Sequence, residues 1–334
     1  MDRKIRPIQL SAAIDGHLRH VASSMSRHTV ADYKNTHGRF LEFMSDVPFS
    51  TITPDDVERF LVVMRETPIT PAGVAAGGKG QRVQPRYRRP KTLANMHTAL
   101  SALWTWAVKR GYAAEHIVQQ TARPSHNAEP VRPLSEAQVV TLIRACNESR
   151  PWQNAPLTTN SRPTAERDKA IVGLLVETAV RVSELCQLRV RDVSFYRGGG
   201  NVHVDLGKGN KSRDVPFSRR CARLLEDWLN TRPGVTPDDP LFVNVGRNDG
   251  LPMTRNNVLK LISRLGKKVN ISVSPHLLRT TAACMLARNG CTAWTLKEIM
   301  GHSDINTTMR YVRAATLDLD EAMRKASPLD NLRL

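Results

Sequence analysis

Cysteine and aromatic residues are scarce in this chain of 334 residues, of which only 5% are aromatic. There are five cysteines, and no two of them have C-x-x-C spacing. An odd and scattered set argues against a disulfide framework and against a zinc site. Such thiols fit a reducing cytoplasm, and we expect all of them to be small buried apolar residues. They are Cys146, Cys186, Cys221, Cys284 and Cys291.

Long apolar runs are also missing. The longest extends from Ile171 to Val176, ends at Glu177 and is far too short to cross a bilayer. The first residues, Met1 to Lys4, are not followed by the apolar segment that a secretory signal needs. We therefore expect a cytoplasmic protein without a membrane partner.

Acidic residues are few relative to basic ones. The chain has 31 Asp and Glu against 49 Lys and Arg, which gives a formal charge of +18 and a pI of about 10.3. An excess of this size suits a partner with dense negative charge, and DNA is the first candidate. The length is comfortable for two domains.

The N-terminal part, residues 1–123, is predicted to be helical. Ser26 can cap one helix, Thr53-Pro54-Asp55-Asp56 can start a second, and a third runs from about Lys91 to Arg110. Between the second and third helices, residues 67–90 are rich in Gly and Pro and contain no acid. We interpret this loop as a basic arm that lies on DNA phosphates; the alternative is a solvated flexible loop. The candidate DNA contacts are Lys79, Arg82, Arg86, Arg88, Arg89 and Lys91.

A linker with several prolines, 124–134, leads into a larger mixed domain, 135–315, and a tail, 316–334. Most of the larger domain has helical periodicity. Alternating segments at about 202–206 and 213–217 flank a Gly-rich tip and predict a β-hairpin. The predicted fold is mainly α, with a helical N-terminal DNA-binding domain and an α+β domain that contains a small antiparallel sheet.

Several polar residues of this domain stand where a purely structural pattern would not place them. Arg181 is flanked by apolar helix, and His276 and Arg279 share one helix face near its N-terminus. His302 lies in a turn before a helix that carries Tyr311. Each has an ordinary explanation when taken alone, such as a surface arginine or an amphipathic tyrosine.

Taken together, these motifs resemble the tyrosine recombinase, or phage integrase, family, and the Xer type in particular. The resemblance rests on the run 179–188, the hairpin 207–216, the box His276-Leu277-Leu278-Arg279, and Gly301-His302 with Tyr311 nine residues later. It covers most of residues 135–315. The N-terminal region resembles the family's core-binding (SAM-like) domain only in length, helix content and position. Met300 and Thr280 depart from common family residues at positions that are not catalytic.

The resemblance implies a catalytic role for six residues. They are Arg181, Lys208, His276, Arg279, His302 and Tyr311. Tyr311 would be the nucleophile that forms a 3′-phosphotyrosine, and Lys208 would protonate the departing 5′ oxygen. Two guanidiniums can neutralise the phosphate as a metal does elsewhere, so no cofactor is expected. Glu184 would either orient Arg181 or be an exposed helix acid.

The implied function is site-specific cutting and rejoining of duplex DNA, for integration, excision, transposition or dimer resolution. The alternatives are a type IB topoisomerase-like enzyme that relaxes DNA, and a DNA-binding protein that keeps the scaffold without catalysis. The expected partners are DNA with paired half-sites and further copies of the chain that assemble as dimers and tetramers on DNA. An accessory DNA-binding protein is a further candidate partner. The amphipathic tail, with Leu319, Ala322 and Met323 on one face, either folds back or docks on a neighbouring protomer.

Overall fold

The computed structural model describes residues 5–69, 85–125, 132–149, 158–159, 162–205, 212–246 and 249–315. Its contacts divide the chain into two compact units, Met1–Glu129 and Pro130–Leu334. No helix within the described ranges is long and apolar enough to cross a bilayer.

The N-terminal unit is built from α-helices. In its described part they are α1 (Leu10–Ala22), α2 (Arg27–Met44), α3 (Pro54–Glu66) and α4 (Pro90–Arg110). The predicted helix starts are confirmed: the Ser26 hydroxyl accepts from the Thr29 N–H, and Thr53 and Asp56 form a capping box. The helices enclose a single apolar cluster that includes Phe40, Phe60 and Trp104.

Helix α1 is not among the predicted helices. Its N-cap residue, Gln9, makes no side-chain capping hydrogen bond, and its buried face includes the polar His17. A start signal and an unbroken apolar stripe are the features from which a helix is predicted, and both are missing here.

The C-terminal unit combines helices with short strands. Strands β1 (Glu148–Ser149) and β2 (Thr158–Thr159) form a short antiparallel pair. The main sheet is antiparallel, in the order β3 (Val193–Tyr196), β4 (Gly199–Val204) and β5 (Arg213–Ser218). The predicted hairpin strands β4 and β5 are confirmed, with Val202 opposite Val215. Strand β3 was not predicted because its Phe195 and Tyr196 are both exposed, which breaks the alternation.

The helices of this unit carry the remaining core. They are α5 (Glu136–Ala145), α6 (Ala165–Thr178), α7 (Val182–Leu185), α8 (Arg219–Asn230), α9 (Arg255–Lys268), α10 (Pro275–Arg288), α11 (Ala293–Met300) and α12 (Ile305–Ala315). Helix α10 packs against both α6 and α12. A small separate cluster, which includes Ala282, Leu296 and Tyr311, joins α10, α11 and α12.

All five cysteines are free thiols. The prediction that every one is buried is wrong for Cys186 and Cys291, which are partly exposed. Both follow the last turn of a helix, where the chain turns at the surface.

Candidate active site

The break between α6 and α7 presents Arg181. Ala179 ends α6 in a left-handed conformation, with a φ of 53°, and Arg181 is the N-cap of α7. Its backbone N–H donates to Glu184 Oε2 at 2.7 Å, and its Nη1 donates to Glu184 Oε1 at 2.7 Å. The Arg181 side chain remains 39% exposed, whereas that of Glu184 is 5% exposed. The interpretation of Glu184 as an exposed acid is therefore wrong.

A second arginine, Arg213, binds the same carboxylate and was missed by the sequence analysis. Its Nη2 donates to Glu184 Oε2 at 2.8 Å, and its Nη1 to Oε1 at 3.3 Å. Arg213 begins β5 on the same face as the buried Val215 and Phe217. An arginine at an inward position of an alternating strand was the signal that could have identified it.

The charge of Glu184 is fixed by these contacts. Burial alone would raise its pKa, but the hydrogen bonds from Arg213 and from the Arg181 backbone, with the positive charge of Arg213, bring the pKa below its ordinary value. Glu184 is therefore an anion at neutral pH.

Arg279 bridges the ends of two helices. Its Nη1 donates to Ala179 O at 2.5 Å and its Nη2 to Met300 O at 2.7 Å, so the guanidinium joins the C-termini of α6 and α11. Arg279 as a whole residue is only 4% exposed. Burial, followed by the repulsion from Arg181, lowers the pKa of Arg279 to about 10. It remains charged at neutral pH.

His302 lies beside this guanidinium. Its Nε2 accepts from Arg279 Nη2 at 3.2 Å, and its Nδ1 is 2.9 Å from Thr308 Oγ1. Since Nε2 accepts, the proton of the neutral ring belongs on Nδ1, which donates to Thr308. Burial and the charges of Arg279 and Arg181 lower the pKa of His302 to about 4, so the ring is neutral at pH 7.

Tyr311 completes the group. Its ring stacks on that of His302 with the centroids 6.1 Å apart and the planes at 24°. The guanidinium carbon of Arg310 lies 5.6 Å from the Tyr311 ring centroid. Tyr311 is 3% exposed and belongs to the small cluster between α10, α11 and α12.

The turn before α12 depends on Gly301. This residue caps α11 with a φ of 60°, in the left-handed region that favours glycine. Its carbonyl accepts from Arg181 Nη2 at 3.0 Å. A Cβ at this position would lie 2.8 Å from Arg213 Nη1, so the conformation favours glycine and a side chain here would displace that guanidinium.

The remaining predicted catalytic residues are His276 and Lys208. His276 is exposed in the first turn of α10, and Ser274 caps that helix by accepting from the Leu277 N–H. Lys208 lies outside the described residues, between the ends of β4 and β5. No group of three or more possible metal-ligating side chains occurs in the described part of the chain.

The predicted DNA contacts of the N-terminal unit are only partly within the described ranges. Lys79 and Arg82 lie outside them, whereas Arg86, Arg89 and Lys91 are exposed. Arg88 instead donates from Nη1 to the carbonyls of Met64 and Thr67, at 3.0 and 3.1 Å, at the end of α3. Its guanidinium thus has an internal role in holding that helix end.

Residues 132–317 match the phage integrase family. The tyrosine recombinase XerC of Corynebacterium efficiens is 32% identical over 241 residues, which cover 71% of this chain and 72% of that protein. The Tn1549 transposon integrase in complex with transposon right end DNA has a TM-score of 0.70 at 19% identity, with 97% of this chain and 100% of that chain covered. XerH recombinase bound to difH substrate has a TM-score of 0.66 at 18% identity, covering 97% and 96%. The predicted fold class is confirmed by these likenesses.

Proposed function

We infer, from the premise that this chain belongs to the phage integrase family and is a tyrosine-type site-specific DNA recombinase, that Tyr311 is its nucleophile. The phenol oxygen attacks the phosphorus of one DNA strand, the bond from phosphorus to the 5′ oxygen breaks, and a 3′-phosphotyrosine forms. Attack by the 5′ hydroxyl of another strand reverses the step. The ester conserves the bond energy, so rejoining requires no nucleotide.

The observation that carries this proposal is the continuous set of contacts from Arg181 to Tyr311. Arg181 binds Gly301 O, Arg279 binds His302, and His302 stacks on Tyr311. Residues from α10, from the break between α6 and α7 and from the turn before α12 thus meet at the tyrosine. A phosphate in contact with the two guanidiniums would lie close to the phenol.

The charge of the group suits a phosphodiester. The guanidiniums of Arg181, Arg213 and Arg279 and the single carboxylate of Glu184 leave a net charge of +2, with His302 neutral. Preorganised positive charge of this kind stabilises the extra negative charge of the transition state. Bidentate contacts from Arg181 and Arg279 to the non-bridging oxygens are the proposed form of that stabilisation.

Proton transfer is assigned to three residues. We assign the general acid at the 5′ oxygen to Lys208 and the acceptance of the phenol proton to His276. His302 would donate to a phosphate oxygen once its Nε2 carries a proton. A bound phosphate anion favours that protonation because its negative charge raises the pKa of a neighbouring imidazole.

The DNA partner is supported by charge as well as by family. Helix α9 contains no acidic residue, and its exposed face carries Arg255, Lys260, Arg264 and Lys267. Of the solved structures described above, the Tn1549 integrase is in complex with transposon right end DNA and XerH is bound to difH substrate. Duplex DNA with paired half-sites is therefore the proposed substrate, bound by dimers that join into a tetramer. In this proposal the tail, 316–334, which lies outside the described residues, links neighbouring protomers.

The test uses a duplex with inverted repeats of about one helical turn around a short spacer, taken from the DNA that flanks the gene and nicked to trap the covalent intermediate. The wild type should form an adduct that survives denaturation. Tyr311→Phe should bind this DNA and form none, while Tyr196→Phe, at an exposed tyrosine of the same unit, should behave as wild type. An adduct in Tyr311→Phe would refute the assignment.

A further inference from the structure

Arg213 lies on the interior side of the arginine group, which consists of Arg181, Arg213 and Arg279. Its side chain is 9% exposed, whereas that of Arg181 is 39% exposed. All three guanidinium nitrogens of Arg213 donate within the protein, two to Glu184 and one to Ile299 O, whereas the partly exposed Arg181 can meet a phosphate. A residue so placed acts through its neighbours and does not touch substrate.

The orientation of Arg181 depends on two anchors. Its Nη1 donates to Glu184 Oε1 and its Nη2 donates to Gly301 O. A long, half-exposed side chain retains several rotamers unless such contacts fix it. These two contacts are the ones that the structure gives to its guanidinium within the described residues.

Both anchors are held by Arg213. The bidentate contact at 2.8 and 3.3 Å fixes the Glu184 carboxylate. The Nε of Arg213 donates to Ile299 O at 2.8 Å, and its Nη1 lies 2.8 Å from where a Cβ on Gly301 would be. One guanidinium thus supports the carboxylate and the turn whose carbonyl holds Arg181.

Arg213 also changes what Glu184 does electrostatically. A carboxylate paired with Arg181 alone would cancel the charge that the phosphate needs. With Arg213 on the same two oxygens, one positive charge balances Glu184 and the other remains for the substrate. The carboxylate can then orient Arg181 without neutralising the site.

We propose that Arg213 is a positioning residue for DNA cleavage, which holds Glu184 and the Gly301 turn so that Arg181 is presented to the scissile phosphate. This inference rests on the proposed function of Arg181. Arg213→Lys keeps the charge but not the three directed donations. Misplacement by about 1 Å can cost about 100-fold in rate, so we expect single-turnover cleavage to fall about 10- to 100-fold, with DNA affinity changed by less than about twofold.

Three scissile groups separate this role from a merely structural one. They are the ordinary phosphate, a neutral methylphosphonate, and a phosphate whose 5′ leaving oxygen is replaced by sulfur. The defect of Arg213→Lys relative to wild type should shrink on the methylphosphonate, which has less charge to neutralise, and persist with the sulfur leaving group. Equal defects on all three would refute the proposal. So would a defect that sulfur removes, since that would place the effect at the Lys208 hairpin.

A double-mutant comparison gives an independent check. If Arg213 acts through Arg181, Arg213→Lys should add little to the loss already caused by Arg181→Ala, and additive losses would overturn the proposal. Arg197→Lys, at an exposed arginine of the turn between β3 and β4, is the matched control and should cleave as wild type. Should Arg213→Lys fail to fold, Glu184→Gln interrupts the same linkage and should show the same dependence on the scissile group.

The outcomes distinguish this inference from the proposed function. Absence of a wild-type adduct, or normal cleavage by Arg181→Ala, would refute the proposed function itself. A wild-type adduct, impaired Arg181→Ala and normal Arg213→Lys would refute only the positioning role.

Discussion

Arg279→Lys is the most direct test of the arginine group because it keeps the positive charge and removes the planar fork of hydrogen-bond donors. The guanidinium reaches Ala179 O and Met300 O on two helix ends and also contacts His302. A lysine has all its donors on one atom, so it cannot hold both carbonyls and bind a phosphate bidentately. Loss of one preorganised contact to the transition state costs about 3–4 kcal/mol. That corresponds to a cleavage rate lower by roughly 100- to 1000-fold.

The assay is single-turnover adduct formation on the nicked duplex at saturating protein, so that weaker binding does not enter the rate. A carbonyl left without a donor also lowers stability by about 1–3 kcal/mol, so the thermal midpoint is measured in parallel and cleavage is assayed well below it. Arg288→Lys, at an exposed position on the same helix, is the control. Cleavage by Arg279→Lys within about threefold of wild type would refute the bidentate role.

Three further predictions concern other parts of the chain. Lys208→Ala should cleave a substrate with a sulfur leaving group much faster than the ordinary one, because a thiolate leaves without a proton; equal rates would place the general acid elsewhere. Replacing Arg82, Arg86 and Arg89 by serine should lower the slope of log affinity against log salt by about 1 per lost phosphate contact, whereas Arg88→Ser, at an internally bonded arginine, should leave the slope unchanged. Burial lowers the pKa of His17 and His37 to about 4. The stability that these neutral histidines contribute to the N-terminal unit should therefore be fully present above the unfolded pKa of about 6.5 and fall as the pH drops towards 4. In urea unfolding followed by tryptophan fluorescence, His37→Phe should lose less stability than wild type over this pH range.

Local patterns predicted the elements that have local signals. The caps at Ser26 and Thr53 form as expected, because each depends on residues within three positions. The hairpin strands predicted at about 202–206 and 213–217 are observed as Gly199–Val204 and Arg213–Ser218. Helix α1 lacks such signals and packs into a core formed with segments distant in the chain, which no window of sequence contains. Strand β3 pairs locally with β4, but its exposed Phe195 and Tyr196 break the alternation from which a strand is predicted.

The candidate site shows the same division. Arg181, Arg279, His302 and Tyr311 were identified as a group only because their motifs resemble a family, since periodicity gives no reason for residues 130 positions apart to meet. Arg213 was missed because its partners, Glu184 and Ile299, are far from it in the chain. What determines the site is the convergence of helix ends, and that is a property of the packed fold.

Backbone carbonyls at the ends of two helices, together with the Glu184 carboxylate, hold the arginines of this site. Ala179 O lies at the end of α6, and the carbonyls of Ile299, Met300 and Gly301 lie at the end of α11. Such dipoles fix a guanidinium without cancelling its charge. The mutual repulsion of the cations therefore opposes folding of the C-terminal unit and is relieved when an anion binds. Binding of DNA relieves this repulsion, so the free energy that it costs in folding is recovered as affinity for the phosphate. The C-terminal unit should therefore resist unfolding most strongly when it is bound to DNA. Substitutions that reduce this repulsion should increase the stability of the protein and decrease its recombination activity.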